Sequence, residues 1–405
     1  MPVTCRLPFR LTYCLSSILG LVALLSSAVA TAKDMPVFSP EDVFEIEYAS
    51  DPRVSPDGSQ VAYVRVSMDI MTDRAQRAIW VVDTDGTNHR PLVSGQGNFS
   101  SPRWSPSGDR LAYLSNTEGK TQLFVAWLDA GETARVTSLP QSPRGIVWSP
   151  DGEQIAFTRL VPAAPPMLAT MPDKPKGATW AEPATVVDKM TFRVDGGGYL
   201  PSGSEQVFVV PAHGGTPRQL TSGDFPISGA IAWSPDSQSI IFSSNRRDGA
   251  EYHPRQSDLF AAALPTGQIT PITDTAGPEG HPVVSPNGRY LAYTQTADIR
   301  QGYNGAKLTI RDLTTSESRS LTPDFDRSVS DIQWSKDSKN LWISYTDLGV
   351  VRVAKIDQEE RCDKRILWWA VLPLDVLTPV GVSRSAARVV WRIRSVVMID
   401  LPTLR

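Results

Sequence analysis

Cysteine is nearly absent from the chain, with three in 405 residues. Cys5 and Cys14 fall inside an N-terminal leader, so a processed chain keeps Cys362 alone and closes no internal disulfide. Stability must then come from packing. Histidine is almost as scarce: His89, His213, His253 and His281 are scattered without paired-ligand spacing, which excludes a zinc site built on them. No cofactor and no metal are expected. Charge bias is also missing, because 40 Lys+Arg oppose 43 Asp+Glu for a net of −3. That leaves no global electrostatic footprint for nucleic acid. Punctuation, by contrast, is plentiful: 33 Pro and 28 Gly stand in a chain that is 41% hydrophobic. Such a composition is globular rather than disordered, collagenous or multi-span, and the length admits two or three domains.

The first 32 residues read as an address. Arg6 and Arg10 precede an apolar run from Cys14 to Ala30 that ends in small-x-small sites at Ala28-Val-Ala30 and Ala30-Thr-Ala32. A cleaved secretory signal is expected, placing the mature protein in the periplasm or outside the cell, with no membrane attachment once the signal is removed. An uncleaved anchor is the alternative.

One segment then recurs six times: Val54-Ser-Pro-Asp-Gly58, Trp104-Ser-Pro-Ser-Gly108, Trp148-Ser-Pro-Asp-Gly152, Trp233-Ser-Pro-Asp-Ser237, Val284-Ser-Pro-Asn-Gly288 and Trp334-Ser-Lys-Asp-Ser338, each followed by an apolar strand. Ser, Pro, Asp and Gly in that order make a type I turn between two strands. A third strand follows most copies, as in Gln122-Leu-Phe-Val-Ala126, and a short fourth, as in Arg218-Gln-Leu-Thr221. Four strands per repeat predict an all-β fold, a β-propeller of six recognisable four-stranded blades over residues 51–357. One interval is much longer than the others and is read as a single blade carrying an insertion at about 162–205; long insertions in compact domains are functional or disordered. Before the blades, residues 33–50 form a leading segment. In it, Ser39-Pro-Glu-Asp42 predicts a short helix over about 40–48, with Asp42 placed to close a capping-box-like pair. After residue 357 the pattern stops, and residues 358–405 form an Arg-rich tail with Gly381 as its single glycine.

With these features the chain resembles the prolyl oligopeptidase family of serine peptidases, and within it the exported acylaminoacyl-peptidase and dipeptidyl-aminopeptidase branch. The stretches that carry the likeness are Ser39-Pro-Glu-Asp-Val43, Asp51-Pro-Arg-Val-Ser-Pro-Asp-Gly58, Trp180-Ala181, Phe192-Arg-Val-Asp-Gly-Gly-Gly-Tyr199, Phe208-Val-Val-Pro211, Gly214-Gly-Thr-Pro-Arg-Gln-Leu-Thr221 and Ser243-Ser-Asn-Arg-Arg-Asp248. The resemblance implies that the propeller is a cap over an α/β-hydrolase domain with a Ser-Asp-His triad, and that short peptides are the substrates. It also implies at least one further blade, which would leave these six as an open ring. No Gly-x-Ser-x-Gly elbow occurs in the sequence, so no catalytic residue is assigned. The abrupt change of grammar near residue 358 is read as a truncation by frameshift. A self-contained TolB-like propeller that recruits a protein partner is the alternative.

Individual signals carry bland and sharp readings. Trp104, Trp148, Trp233 and Trp334 are read as packing between blades rather than a ligand surface. Asp83-Thr-Asp85-Gly-Thr-Asn88 lacks the ordered ligand series of a calcium loop and is read as a hairpin turn. His281 has no elbow serine to serve and is read as a loop residue. Arg384, Arg388, Arg392 and Arg394 give the tail no clean amphipathic face. The insertion leans toward function. Its Arg193, Asp195 and Tyr199 are candidates for admitting and holding peptide, and Arg246 and Arg247, in Asn245-Arg-Arg-Asp248, are candidates for holding a peptide carboxylate bidentately.

Overall fold

The computed structural model describes residues 39–359 apart from 165, 168, 170, 171, 182, 183 and 299–302. The leader and the basic tail lie outside the described residues. Two compact units divide at Glu45 and Ile46. In the first, Pro40–Glu45 is a 3₁₀ helix, and Ser39 N donates to Asp42 Oδ2 at 2.7 Å, a side-chain cap on an orphan N–H. This helix is shorter than the sequence pattern suggests, because the chain is already extended from Glu47 onward.

The second unit is six antiparallel blade sheets in chain order, with a separate two-stranded sheet in the insertion of the third, and the strands of each blade are named A to D. Blade 1 comprises Glu47–Val54, Gln60–Asp69, Arg74–Asp83 and Arg90–Val93, and blade 2 comprises Phe99–Trp104, Arg110–Ser115, Gln122–Trp127 and Glu132–Arg135. Blade 3 is Arg144–Trp148, Gln154–Pro162, Gly203–Pro211 and Arg218–Gln219, and blade 4 is Ile227–Trp233, Ser239–Ser244, Asp258–Ala263 and Ile269–Pro271. Blade 5 is Glu279–Val284, Tyr290–Gln295, Lys307–Asp312 and Ser318–Ser320, and blade 6 has three strands among the described residues, Val329–Trp334, Asn340–Asp347 and Val350–Asp357. This is the six-bladed all-β arrangement expected from the repeats.

The recurring turn is held by its serine and aspartate. Ser149 Oγ accepts the N–H of Gln154 at 2.9 Å and donates to Asp151 Oδ1 at 2.5 Å, while Gly152 N closes the turn on Ser149 O. Gly152 sits at φ 74, the left-handed region where glycine meets no Cβ penalty. Where the motif carries serine instead, Ser237 and Ser338 adopt φ 58 and 61. Their hydroxyls accept Asp151 N and Asn287 N from the preceding blade, at 3.2 and 3.0 Å. The departure from glycine thus supplies a bond between blades.

The tryptophans do the same work on strand A. Trp104, Trp148, Trp233 and Trp334 donate through Nε1 to Arg53 O, Arg103 O, Val147 O and Val283 O at 2.9 to 3.1 Å. Each acceptor lies one residue before the matching position of the preceding blade. Apolar seams complete the packing: Ile146, Phe157 and Phe208 join blades 2 and 3, Val207, Ile231 and Phe242 join blades 3 and 4, and Leu308, Val329 and Ile343 join blades 5 and 6. Each fully buried side chain of this size contributes about 1.5–3 kcal/mol. Blade 6 meets blade 1 through Lys336 Nζ, which donates to Pro56 O at 3.0 Å. No apolar cluster joins those two blades among the described residues.

The strands alternate in direction within every blade, so all A–B turns fall at one end of the propeller. The B–C loops and the D–A connections fall at the other. This topology decides where the candidate site lies.

Candidate functional site

All five candidate residues stand on B–C loops and therefore at one end. Arg193 and Tyr199 pair across a two-stranded hairpin, Arg193–Val194 with Gly198–Tyr199, and Asp195 lies in its turn. The hairpin is closed by Leu200 N on Phe192 O at 2.8 Å, and the Phe192 and Tyr199 rings lie 6.1 Å apart. Arg193, Asp195 and Tyr199 are all exposed. No hydrogen bond or ion pair joins them to Arg246 or Arg247 among the described residues.

The insertion is nevertheless tied to the blades. Lys189 Nζ contacts both oxygens of Asp224 at 2.6 and 2.8 Å, and Ser204 Oγ donates to the same carboxylate at 2.8 Å. The Lys189 and Ser204 hydrogen bonds hold the Asp224 carboxyl below its usual range. One residue further on, Met190 N donates to Glu251 Oε2 at 3.1 Å. Asp224 belongs to the connection into blade 4 and Glu251 to the B–C loop of blade 4, so the insertion reaches across to the neighbouring blade.

The two arginines differ sharply. Arg247 donates to both oxygens of Asp258 at 3.0 and 3.1 Å and to Thr275 O at 2.8 Å, and it lies 3.6 Å from Asp274. Asp258 is buried, so this bidentate pair fixes the loop. Arg246 instead spreads over the Phe225 ring at 4.5 Å, with Phe260 at 5.9 Å, and its Nη1 is buried without a partner.

Several residues that shape this end are not singled out by motif reasoning, although the repeat contains their signal. One matching position on strand C is Gln122 in blade 2 and Gln206 in blade 3, and each side-chain oxygen accepts a threonine hydroxyl, from Thr137 at 2.9 Å and Thr221 at 2.6 Å. In blade 4 that position is Asp258, committed to Arg247. The Thr273 hydroxyl turns instead to Glu279, which is buried and also accepts from Thr275 and, at 3.2 Å, from Gln295. Burial pushes the Glu279 carboxyl above its ordinary value. Blade 5 has Lys307 at the same position, donating to Phe325 O. Phe225, Lys189 and Glu251 carry no sequence signature; proximity alone reveals them.

His281 sits at φ 51, at the register shift in strand A of blade 5. Asp51, Ser101, Gly145 and Gly229 hold the same left-handed conformation at the matching bulges of blades 1 to 4. It is a bulge residue, with Nδ1 3.3 Å from Thr294 Oγ1.

Exposed large apolar side chains are distributed unevenly. Ile70 and Met71 in blade 1, Met190, Phe192 and Tyr199 in the insertion, Tyr252 in blade 4, Tyr303 in blade 5 and Leu348 in blade 6 all stand on B–C loops, with Met71, Tyr303 and Leu348 84–88% exposed. At the A–B end, Leu313 is the one such residue among those described. Exposed apolar side chains gathered at one end make that end the candidate interaction face.

Residues 58–162 match the model of the TolB beta propeller domain, and residues 198–298 match that of the dipeptidyl peptidase IV N-terminal region. Dipeptidyl-peptidase 5 of Porphyromonas gingivalis is 26% identical over 348 residues, covering 81% of this chain and 48% of that protein. Along these stretches the chain is similar to the propeller part of this family of peptidases. An acylaminoacyl peptidase, solved in complex with Z-Gly-Gly-Phe-chloromethyl ketone, shares the fold with a TM-score of 0.61 at 17% identity, over 78% of this chain and 46% of that one. The chain thus spans about half the length of these peptidase relatives. The Tol-Pal system protein TolB of Alkalilimnicola ehrlichii is 36% identical over 81 residues, 20% of this chain and 18% of that protein. No helix among the described residues is long and apolar enough to cross a membrane.

Proposed function

We propose that this peptidase-family propeller is the substrate-admitting cap of an exported serine peptidase that acts on short peptides. The observation that carries the reading is the one-sided apolar end, where the exposed side chains of the B–C loops coincide with the blade 3 insertion. A cap needs one end to dock on a catalytic body and to present loops into the chamber between them. The opposite end, with its six Ser-rich turns, needs only solvent. The insertion residues Arg193, Asp195 and Tyr199, and the blade 4 loop with Arg246 and Arg247, stand where they would meet an entering peptide. Export follows from the leader, with Arg6, Arg10 and the apolar run to Ala30.

The test is a chimera in which residues 39–359 replace the corresponding propeller of P. gingivalis dipeptidyl-peptidase 5. It should cleave a chromogenic dipeptidyl substrate and leave a folded protein uncut. Replacing Met71, Tyr252 and Leu348 together by serine should loosen docking and admit the folded substrate. A chimera that digests folded protein and dipeptide alike, before any such replacement, would sink the reading. A TolB-like binding module is the second reading, supported by the 81-residue likeness; that stretch is short enough to come from shared blade grammar, and it does not account for the insertion.

A further inference from the structure

The adjacent arginines of the blade 4 loop have opposite surroundings. Arg247 is saturated by Asp258, Thr275 O and Asp274. Arg246 makes no hydrogen bond and no ion pair among the described residues, and its Nη1 is buried without a partner. Burial alone acts on the group, pushing its pKa below the usual arginine value; among the described residues no carboxylate offsets it. Asp248, two residues on, is exposed and makes no ion pair with Arg246; Asp224, beside Phe225, is committed to Lys189 and Ser204, and Glu251 in the same loop accepts Met190 N. Those same two contacts bring the insertion onto the loops that flank Phe225 and Arg246. The Phe225 ring supports the guanidinium from one face at 4.5 Å; with Nη1 buried, the Nε and Nη2 edge of the fork is the part left open for recognition. A planar fork of this kind matches a carboxylate with two parallel hydrogen bonds.

We infer that Arg246 is the anchor for a carboxylate of a bound peptide, either its C-terminal carboxyl or an acidic side chain, received between Phe225 and the B–C loop of blade 4. Arg247 is a positioning residue that holds this loop through Asp258. The inference rests on the peptide reading above and goes further by naming the group recognised and the one arginine of the pair that recognises it.

Isothermal titration calorimetry on the purified full chain, with N-acetyl-trialanine as the free acid and as the C-terminal amide, tests it. The acid should bind about tenfold or more tightly than the amide, as expected for a charge-assisted hydrogen-bonded pair, and Arg246→Gln should erase the difference. Arg246→Leu keeps an apolar cover on Phe225 without the unpaired charge; it should melt at or above the wild-type temperature and still fail to discriminate. Arg246→Lys keeps a point charge without the fork and should recover only part of the preference. Equal binding of acid and amide, unchanged in Arg246→Gln, overturns the inference and leaves the peptide reading standing. If neither peptide binds but sodium acetate does, and only with Arg246 present, the carboxylate anchor stands and the peptide reading falls. If acetate and both peptides fail to bind, both are overturned.

Discussion

Among single residues, Glu279 shows how one break in a repeated pattern relocates a charge. Blades 2 and 3 satisfy the threonine hydroxyl with an amide oxygen, whereas blade 4 uses a carboxylate that is 2% exposed. It faces the hydroxyls of Thr273 and Thr275 and the Gln295 amide, with Asp258 and Arg311 as the charged neighbours. Burial raises its folded-state pKa above the ordinary value of 4.5. Below that value the group is protonated in folded and unfolded chains alike and has no linked effect. As pH rises past it, the unfolded chain loses the proton first, so stability falls. Glu279→Gln, which restores the amide chemistry of blades 2 and 3, is expected to stabilise the chain at pH 7 by on the order of 1 kcal/mol. The gain should vanish below about pH 4.5, read by thermal melting across pH. A wild-type chain that is the more stable at pH 7, with no pH dependence of the difference, would contradict this.

At the scale of the element, the A–B turn and the strand A tryptophan carry the blade. Asp57 is held at about 2 by the Ser55 hydroxyl first, then by Ser59. A depressed carboxyl contributes stability above its unfolded value of 3.8, and that contribution is lost as pH falls through about 2. Ser55→Ala removes the largest cause, so the Asp57 carboxyl should titrate measurably closer to 3.8 by NMR; an unchanged midpoint would show that the serine does not hold the turn. Trp233 is the matching test between blades. Trp233→Phe keeps most of the buried ring but strips the donor from Val147 O, and is expected to cost about 1–3 kcal/mol in denaturant unfolding. A change below about 0.5 kcal/mol would mean that the Nε1 bond contributes nothing and that the ring alone packs the seam.

For the whole molecule, the consequence of meander topology is that one end collects every B–C loop. An environment-sensitive apolar dye should bind the purified chain, because Met71, Tyr303 and Leu348 stand clear of the core. Replacing those three by serine should reduce the dye signal several-fold while the melting temperature stays within about 2 °C, since exposed positions away from packing contribute little to stability. Loss of stability in the triple variant would place these side chains in the core rather than on a docking face.

The repeat made much of this fold legible in advance. Ser, Pro, Asp and Gly encode a turn locally, the flanking apolar residues encode strands, and six copies leave little freedom but a propeller. The insertion was legible as an interruption, and Arg193, Asp195, Tyr199, Arg246 and Arg247 as polar residues within likeness-bearing stretches. Sequence alone did not distinguish Arg246 from Arg247, because both sit in one Asn-Arg-Arg-Asp run and differ only in what lies beside them. Asp258 is eleven residues away from Arg247 and Phe225 twenty-one from Arg246, yet strand pairing and blade packing set them in contact, satisfying one guanidinium and leaving the other free. Local residue order thus determined the blades. Long-range proximity, which no local pattern encodes, decided which charges are spent on the fold and which are left unpaired among the described residues.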